Sequence, residues 1–307
     1  MKPNAPYGII TPLAMPFTPD EQIDLPAFHR VIEHVVKGGV HGLFVLGTTG
    51  EFVSLTDDER HMVVEKAIQF TAGRLPVWVG ITSCATRLSQ AEARRADAAG
   101  ACGAVVMPPY YYKMTETEIE NHILGILDCC ELPVVLYQNP KVGNGTIMSP
   151  DLVGRLSQLD GVVGIKDSSD DLEGFERFLA DVGGNGFAIL QGSEKFLLQS
   201  LSMGGSGGVS SLSNVFPEFF AQLYEYGRNN RGTEDSKWQA AADIAHRIYT
   251  AGPSLLASVK AAMSLQKLCR PLARRPFLPL NQSEMVRLQG VIDSFAEIDP
   301  SSTHRGE

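Results

Sequence analysis

An isolated lysine stands in an otherwise apolar run, Val162-Val163-Gly164-Ile165-Lys166-Asp167, and an amine held there is a candidate nucleophile. If the run is a strand, alternation puts Val162, Gly164 and Lys166 on one face, with Gly164 leaving space beside the lysine stem. Burial disfavours the ammonium form and favours the free amine, which condenses with ketones. The alternative is a lysine that leaves the strand and points into solvent beside Asp167. In Leu136-Tyr137-Gln138-Asn139-Pro140, alternation aligns Tyr137 with Val135. Neighbouring strands lie about 4.8 Å apart, so a phenol at Tyr137 could reach an adduct on Lys166 and transfer protons, or it could simply pack its ring and bond a fixed acceptor. A third segment, Gly47-Thr48-Thr49-Gly50-Glu51, combines two hydroxyls with backbone N–H groups uncrowded at the glycines. It could cradle a carboxylate as backbone nests do, or be no more than a permissive turn. Tyr110, Tyr111 and Tyr112 are consecutive and cannot all enter one core, so at least one faces a loop, the site mouth or a partner subunit.

The elements that would position these residues follow from periodicity. Eight short apolar runs, 7–14, 42–47, 76–81, 103–108, 133–138, 162–167, 187–192 and 207–211, alternate with segments of helical period. That alternation marks a parallel sheet with crossover helices, and near-continuous apolar character suits strands covered on both faces. Thr56 followed by Glu59 reads as a capping box opening a helix over 57–72. Eight strand–helix units predict an α/β fold of the TIM type, a (β/α)₈ barrel over residues 1–229, with residues 230–307 as a C-terminal helical extension packed on it. Helices are expected near 234–250, 254–268 and 282–295, and a frayed polar end after Asp299. A doubly wound sheet would carry a glycine fingerprint after its first strand, and Thr11-Pro12 is unlike one. In barrels the chemistry gathers at the carboxyl ends of the strands, where all the residues above would lie.

Composition narrows the partners. A net charge of −9 over 307 residues weighs against nucleic acid and anionic membrane. The one dense basic run, Arg270 to Arg275, is interrupted by prolines and reads as a solvated helix end and loop. Five cysteines without a C-x-x-C pair and scattered histidines suggest neither disulfides nor a metal site, and with no secretory h-region or apolar span they point to a cytoplasmic protein.

Taken in order, GTTGE, PYYYK, LYQNP and GIKDSS on strands two, four, five and six resemble the dihydrodipicolinate synthase / N-acetylneuraminate lyase family, over essentially the whole chain including Val259-Lys260 in the tail. The resemblance implies a class I aldolase mechanism on pyruvate or a related 2-keto acid, with no metal or organic cofactor. It implies that Lys166 forms the Schiff base, that Tyr137 donates and accepts protons, and that Thr48 continues the relay. Thr49 would hold the keto-acid carboxylate beside Gly47, and Tyr111 would enter a neighbour's site across a dimer interface. Gly192 and Ser210 match positions lining the pyruvate pocket. A homotetramer built as a dimer of dimers is implied.

One position departs from the family pattern. Dihydrodipicolinate synthases carry an arginine in a Y-N-x-P-x-R-T-G context to hold the carboxylate of the incoming aldehyde, and here Val142 stands there. An isopropyl group does not replace a bidentate guanidinium, and Lys141 offers only a point charge. The site is therefore expected to act on another 2-keto acid, such as a 2-keto-3-deoxy sugar acid, by reversible carbon–carbon cleavage. The alternatives are 4-hydroxy-tetrahydrodipicolinate (dihydrodipicolinate) synthase itself, a dehydratase using the same imine, or a non-catalytic keto-acid binding or regulatory protein on the same barrel.

Overall fold

Why the first and last strands meet is visible in two glycines. A Cβ on Gly207 would lie 2.1 Å from the carbonyl oxygen of Gly8, so the seam closes only without a side chain there, and one on Gly8 would lie 2.2 Å from the His41 ring on the β2 side. The structure is a computed structural model that describes residues 5–184, 186–229 and 236–301. Its eight parallel strands pair in sequence order into a closed barrel: β1 (Gly8–Pro12), β2 (Gly42–Val45), β3 (Val77–Gly80), β4 (Gly103–Val106), β5 (Val134–Gln138), β6 (Val162–Asp167), β7 (Ala188–Gln191) and β8 (Gly207–Val209). Several strands stop short of the apolar runs that announced them. Leu46, for example, takes φ +58°, which turns the chain out of the ladder into the loop that follows.

Eight helices alternate with the strands: α1 (Leu25–Lys37), α2 (Asp57–Thr71), α3 (Thr86–Ala99), α4 (Glu116–Leu127), α5 (Pro150–Ser157), α6 (Leu172–Val182), α7 (Leu197–Ser202) and α8 (Pro217–Asn229). The capping box at α2 forms as its spacing predicts, with Glu59 N–H donating to Thr56 Oγ1 and Thr56 N–H to Glu59 Oε2 at 2.9 Å. Two layers of core result. Ile10, Phe44, Trp78, Val105, Val135, Leu190 and Val209 fill the barrel interior, while a larger set lies between sheet and helices.

The face pattern of β6 differs from strict alternation. Register shifts between Val134↔Val162 and Val135↔Gly164, so β6 carries one extra residue. Val162 joins the outer core with Ile165, whereas Val163 enters the interior. It is the bulge, a local insertion that re-aims a side chain, that allows Lys166 to face inward opposite Tyr137.

Three more helices follow, α9 (Ser236–His246), α10 (Leu255–Leu265) and α11 (Gln282–Ile298); the expected start of the first before Ser236 and most of the frayed end fall outside the described residues. Their contacts reach the loops after β7 and β8. In the basic run Arg270 and Arg275 are exposed, as expected of a solvated segment, but Arg274 is not. Arg274 donates to both carboxylate oxygens of Glu59 at 2.7 Å and to the Ser54 carbonyl, and Arg275 pairs with Glu21. Among the described residues, no helix is long and apolar enough to cross a membrane.

Candidate active site

Lys166 is 6% exposed, which rules out the solvent-facing arrangement. Its Nζ lies 4.2 Å from the centroid of the Tyr137 ring and 5.5 Å from that of Phe44. Asp167, next in sequence, points the other way. Its carboxylate accepts from Gln138 Nε2 and from Ser169 N and Oγ, and burial raises its pKa. The Lys166 amine is thus not neutralised by its neighbour and is presented to an aromatic wall.

Tyr137 is buried opposite it, in register on β5. Its hydroxyl is 3.2 Å from Thr48 Oγ1 and accepts from Asn139 Nδ2 at 3.0 Å. Burial by itself would raise the phenol's pKa, yet the charge of Lys166 and hydrogen bonds from Thr48, Asn139 and Lys166 outweigh it and hold the group below its ordinary value. A phenol so placed gives up its proton more readily than a free one, and its phenolate is correspondingly more populated as a proton acceptor.

The turn after β2 is built tightly. A Cβ on Gly47 would lie 2.7 Å from the Phe44 ring, and Glu51 closes the turn at φ +55°. The N–H groups of Gly50 and Glu51 are bonded to the carbonyls of Gly47 and Thr48, so those two amides are committed to the turn itself. The Thr48 hydroxyl faces Tyr137. The Thr49 hydroxyl is 2.6 Å from Ser211 Oγ.

After β7, Gly192 N–H donates to the Asp167 carbonyl at 2.7 Å, and a Cβ there would fall 1.9 Å from Ser168 Oγ. A side chain there would also crowd the Asp167 carbonyl oxygen at 2.7 Å, so Ser168 and the β6 end would have to shift. Ser210 is arranged differently from its expected place in the pocket wall: its hydroxyl donates to buried Glu194 at 2.9 Å, together with the hydroxyl of Tyr249 and the N–H of Leu212. Burial and the nearby Glu194 push the Tyr249 phenol well above its usual range. Alternation along β8 makes Val209 the inward residue, and it lines a small apolar cavity with Lys166, Phe44 and Leu190.

Tyr111 is not brought to the others within this chain. It is 69% exposed, edge-on to Tyr112, while Tyr110 packs on Phe52. Val142 is also exposed, and Lys141 is paired with Asp170. The residues that spacing did not single out are Asn139 and Val209. A cavity of about 950 Å³ between α1, α8 and α11 shares none of these residues.

Comparison with known proteins agrees with this geometry. A model of the dihydrodipicolinate synthetase family matches residues 5–294. The chain is 33% identical over 293 residues to a 4-hydroxy-tetrahydrodipicolinate synthase of Salinibacter ruber, covering 95% of each. It is 30% identical over 296 residues to an uncharacterized DapA-like lyase of Pyrococcus abyssi, covering 95% of this chain and 99% of that one. Its fold superposes with a TM-score of 0.90, at 28% identity and with 94% of this chain and 98% of the other covered, on YagE, a prophage protein of the dihydrodipicolinic acid synthase family from E. coli K12 in complex with pyruvate. A match of that extent, on a barrel of this topology, makes the chain a member of the dihydrodipicolinate synthetase family and an aldolase-type lyase.

Proposed function

We propose that the protein cleaves and forms a carbon–carbon bond of a 2-keto acid held as a Schiff base on Lys166, and that the keto acid is pyruvate or a 2-keto-3-deoxy sugar acid. The observation that carries this reading is the unneutralised Lys166 amine buried against Tyr137. The solved relative YagE is described in complex with pyruvate.

In this mechanism the Lys166 nitrogen attacks the keto carbon, and Tyr137 supplies the proton with which the carbinol oxygen leaves as water. The iminium then draws electrons from the C3–C4 bond while the Tyr137 oxygen, held low in pKa, takes the proton of the C4 hydroxyl. An aldehyde departs and an enamine remains, to be protonated at C3 and hydrolysed. Thr48 passes protons to and from Tyr137. Thr49, oriented by Ser211, holds the carboxylate beside Gly47, Gly192 shapes the wall behind it, and Ser210 supports that wall from behind through Glu194. Tyr137→Phe is expected to lower kcat by roughly 10²–10⁴-fold with little change in KM, since the ring remains and only the proton path is lost. Steady-state kinetics on the cleaved keto acid checks this.

Tyr111 would complete the relay from a second copy in a homotetramer of paired dimers. Tyr111, Tyr112, Val53 and Leu88 are all more than half exposed, an apolar set suited to a subunit contact. Tyr111→Ala is expected to lower turnover about tenfold or more; mixing it with Lys166→Met protein should restore activity above either parent, and an unchanged mixture counts against a shared site. Five unpaired cysteines suit a reducing, cytoplasmic setting.

The second reading is 4-hydroxy-tetrahydrodipicolinate synthase, the name carried by the Salinibacter ruber relative. Against it stand Val142, which carries no charge, and Lys141, engaged by Asp170. Pyruvate release from a panel of 2-keto-3-deoxy sugar acids, set against condensation of pyruvate with aspartate semialdehyde, separates the two. Turnover confined to the semialdehyde would overturn the preferred substrate.

A further inference from the structure

Asn139 has an amide that is only half used. Its Nδ2 donates to the Tyr137 hydroxyl at 3.0 Å, and its Oδ1, although buried, has no hydrogen-bond partner among the described residues. Buried acceptors are nearly always satisfied, and one left open beside reacting groups calls for a donor brought by something that binds there. Covalent geometry keeps Oδ1 one amide width from Nδ2, hence beside the same tyrosine hydroxyl.

The side chain is held in that place by its own backbone. The Asn139 carbonyl accepts from Val142 N at 3.2 Å and from Gly143 N at 2.8 Å, and a Cβ on Gly143 would lie 2.9 Å from that carbonyl oxygen. The preceding residue is fixed too, because Gln138 bridges Asp167 and the N–H of Met148. The loop therefore delivers a rigid amide to the edge of the site.

We propose that Asn139 determines specificity by contacting the second substrate, its Oδ1 accepting a hydrogen bond from the hydroxyl on the carbon next to the aldehyde carbon, so that the enzyme selects uncharged α-hydroxyaldehydes and their aldol products. This rests on the Lys166–Tyr137 reading, which places the aldehyde oxygen at Tyr137 and hence its neighbouring carbon beside Asn139. Charge supports the choice. An acceptor oxygen repels a carboxylate, and the loop's cation, Lys141, is bound to Asp170. A hydroxyl donor on a neutral chain is what satisfies Oδ1 without requiring a counter-charge.

The test is condensation of pyruvate with three aldehydes, glyceraldehyde, propionaldehyde and succinic semialdehyde, by the wild type, Asn139→Leu and Asn139→Asp. Wild type is expected to prefer glyceraldehyde over propionaldehyde by about 10²-fold or more in kcat/KM, with succinic semialdehyde no better than propionaldehyde, because a site built to bond a hydroxyl leaves its own group unpaired when that hydroxyl is missing. In Asn139→Leu the glyceraldehyde preference collapses to within about threefold. Asn139→Asp retains an acceptor but loses the donor to Tyr137, so the preference survives while the pH–rate limb that reports Tyr137 moves upward. Borohydride trapping of pyruvate on Lys166 accompanies each variant as evidence of a folded site. Equal loss on glyceraldehyde and propionaldehyde in Asn139→Leu with trapping intact, absence of discrimination by a wild type that traps pyruvate, or loss of the preference in Asn139→Asp would each overturn the role of Asn139 alone. A folded wild type that traps no pyruvate overturns the imine reading and this one with it.

Discussion

Replacing Lys166 with methionine is expected to lower kcat/KM for keto-acid cleavage by about four orders of magnitude or more without unfolding the protein. The loss is large because, among the described residues gathered at the site, none but Lys166 offers an amine, and removing a covalent nucleophile removes the route and not one contact. Stability is preserved because methionine nearly matches the lysine stem, and the change replaces a buried polar head that has no carboxylate partner among the described residues by an apolar one. A second readout separates this from general damage. With the charge of Lys166 gone, the burial that otherwise raises the Tyr137 pKa is less opposed, so the phenol should ionise at higher pH than in the wild type. Ultraviolet titration of the variant measures that shift, and a tyrosine that titrates unchanged would mean that Lys166 and Tyr137 are not electrostatically coupled.

The second large effect belongs to a buried pair beneath the Thr48–Thr49 turn. Lys260 on α10 pairs with Glu51, both side chains almost completely buried, and its Nζ also donates to the Leu272 carbonyl and lies 4.3 Å from the Phe17 ring centroid. Glu51 in turn accepts from the N–H of Arg274 at 2.9 Å. The residue that closes the Thr48–Thr49 turn is thus clamped by the C-terminal helices. Lys260→Met leaves a carboxylate buried without its cation, and removing one partner of such a pair costs about 3–5 kcal/mol. Adding Glu51→Gln is expected to recover much of that loss in urea denaturation, because the uncompensated charge is then gone. A Lys260→Met protein as stable as the wild type would show that the clamp carries no stability. pH supplies a further check. Burial holds Lys260 below its ordinary 10.5, with Glu51 opposing. The unfolded chain therefore binds the extra proton in the interval below 10.5, and the pair's contribution to stability rises as pH climbs through it. Lys260→Met loses that slope.

These two sites also mark what a sequence can and cannot disclose. Lys166 was legible because a cation interrupting an apolar period-two run is locally anomalous, and eight such runs at regular spacing announce a barrel. The bulge at Val163 was not, since nothing in a run of valine, glycine and isoleucine says where an extra residue sits, and so Val162 was placed on the wrong face. At β8 the motif registers on Ser210, whereas the strand's own alternation turns Val209 inward and ties Ser210 to Glu194. Glu51 and Lys260 lie 209 positions apart, and no local pattern links them. Arg274 looked like surface charge for the same reason, its partners Glu59 and Ser54 being some two hundred residues upstream. Asn139 escaped notice because its type is ordinary after a strand; only the pinned loop reveals that its amide turns to Tyr137.

All of this chemistry depends on an imine between the Lys166 amine and a 2-keto acid. Borohydride reduction in the presence of pyruvate, followed by peptide mass analysis, tests it most directly. A stable adduct is expected on the peptide containing Lys166, absent without pyruvate and absent in Lys166→Met. A folded protein left unmodified, or modified at another lysine, would contradict it.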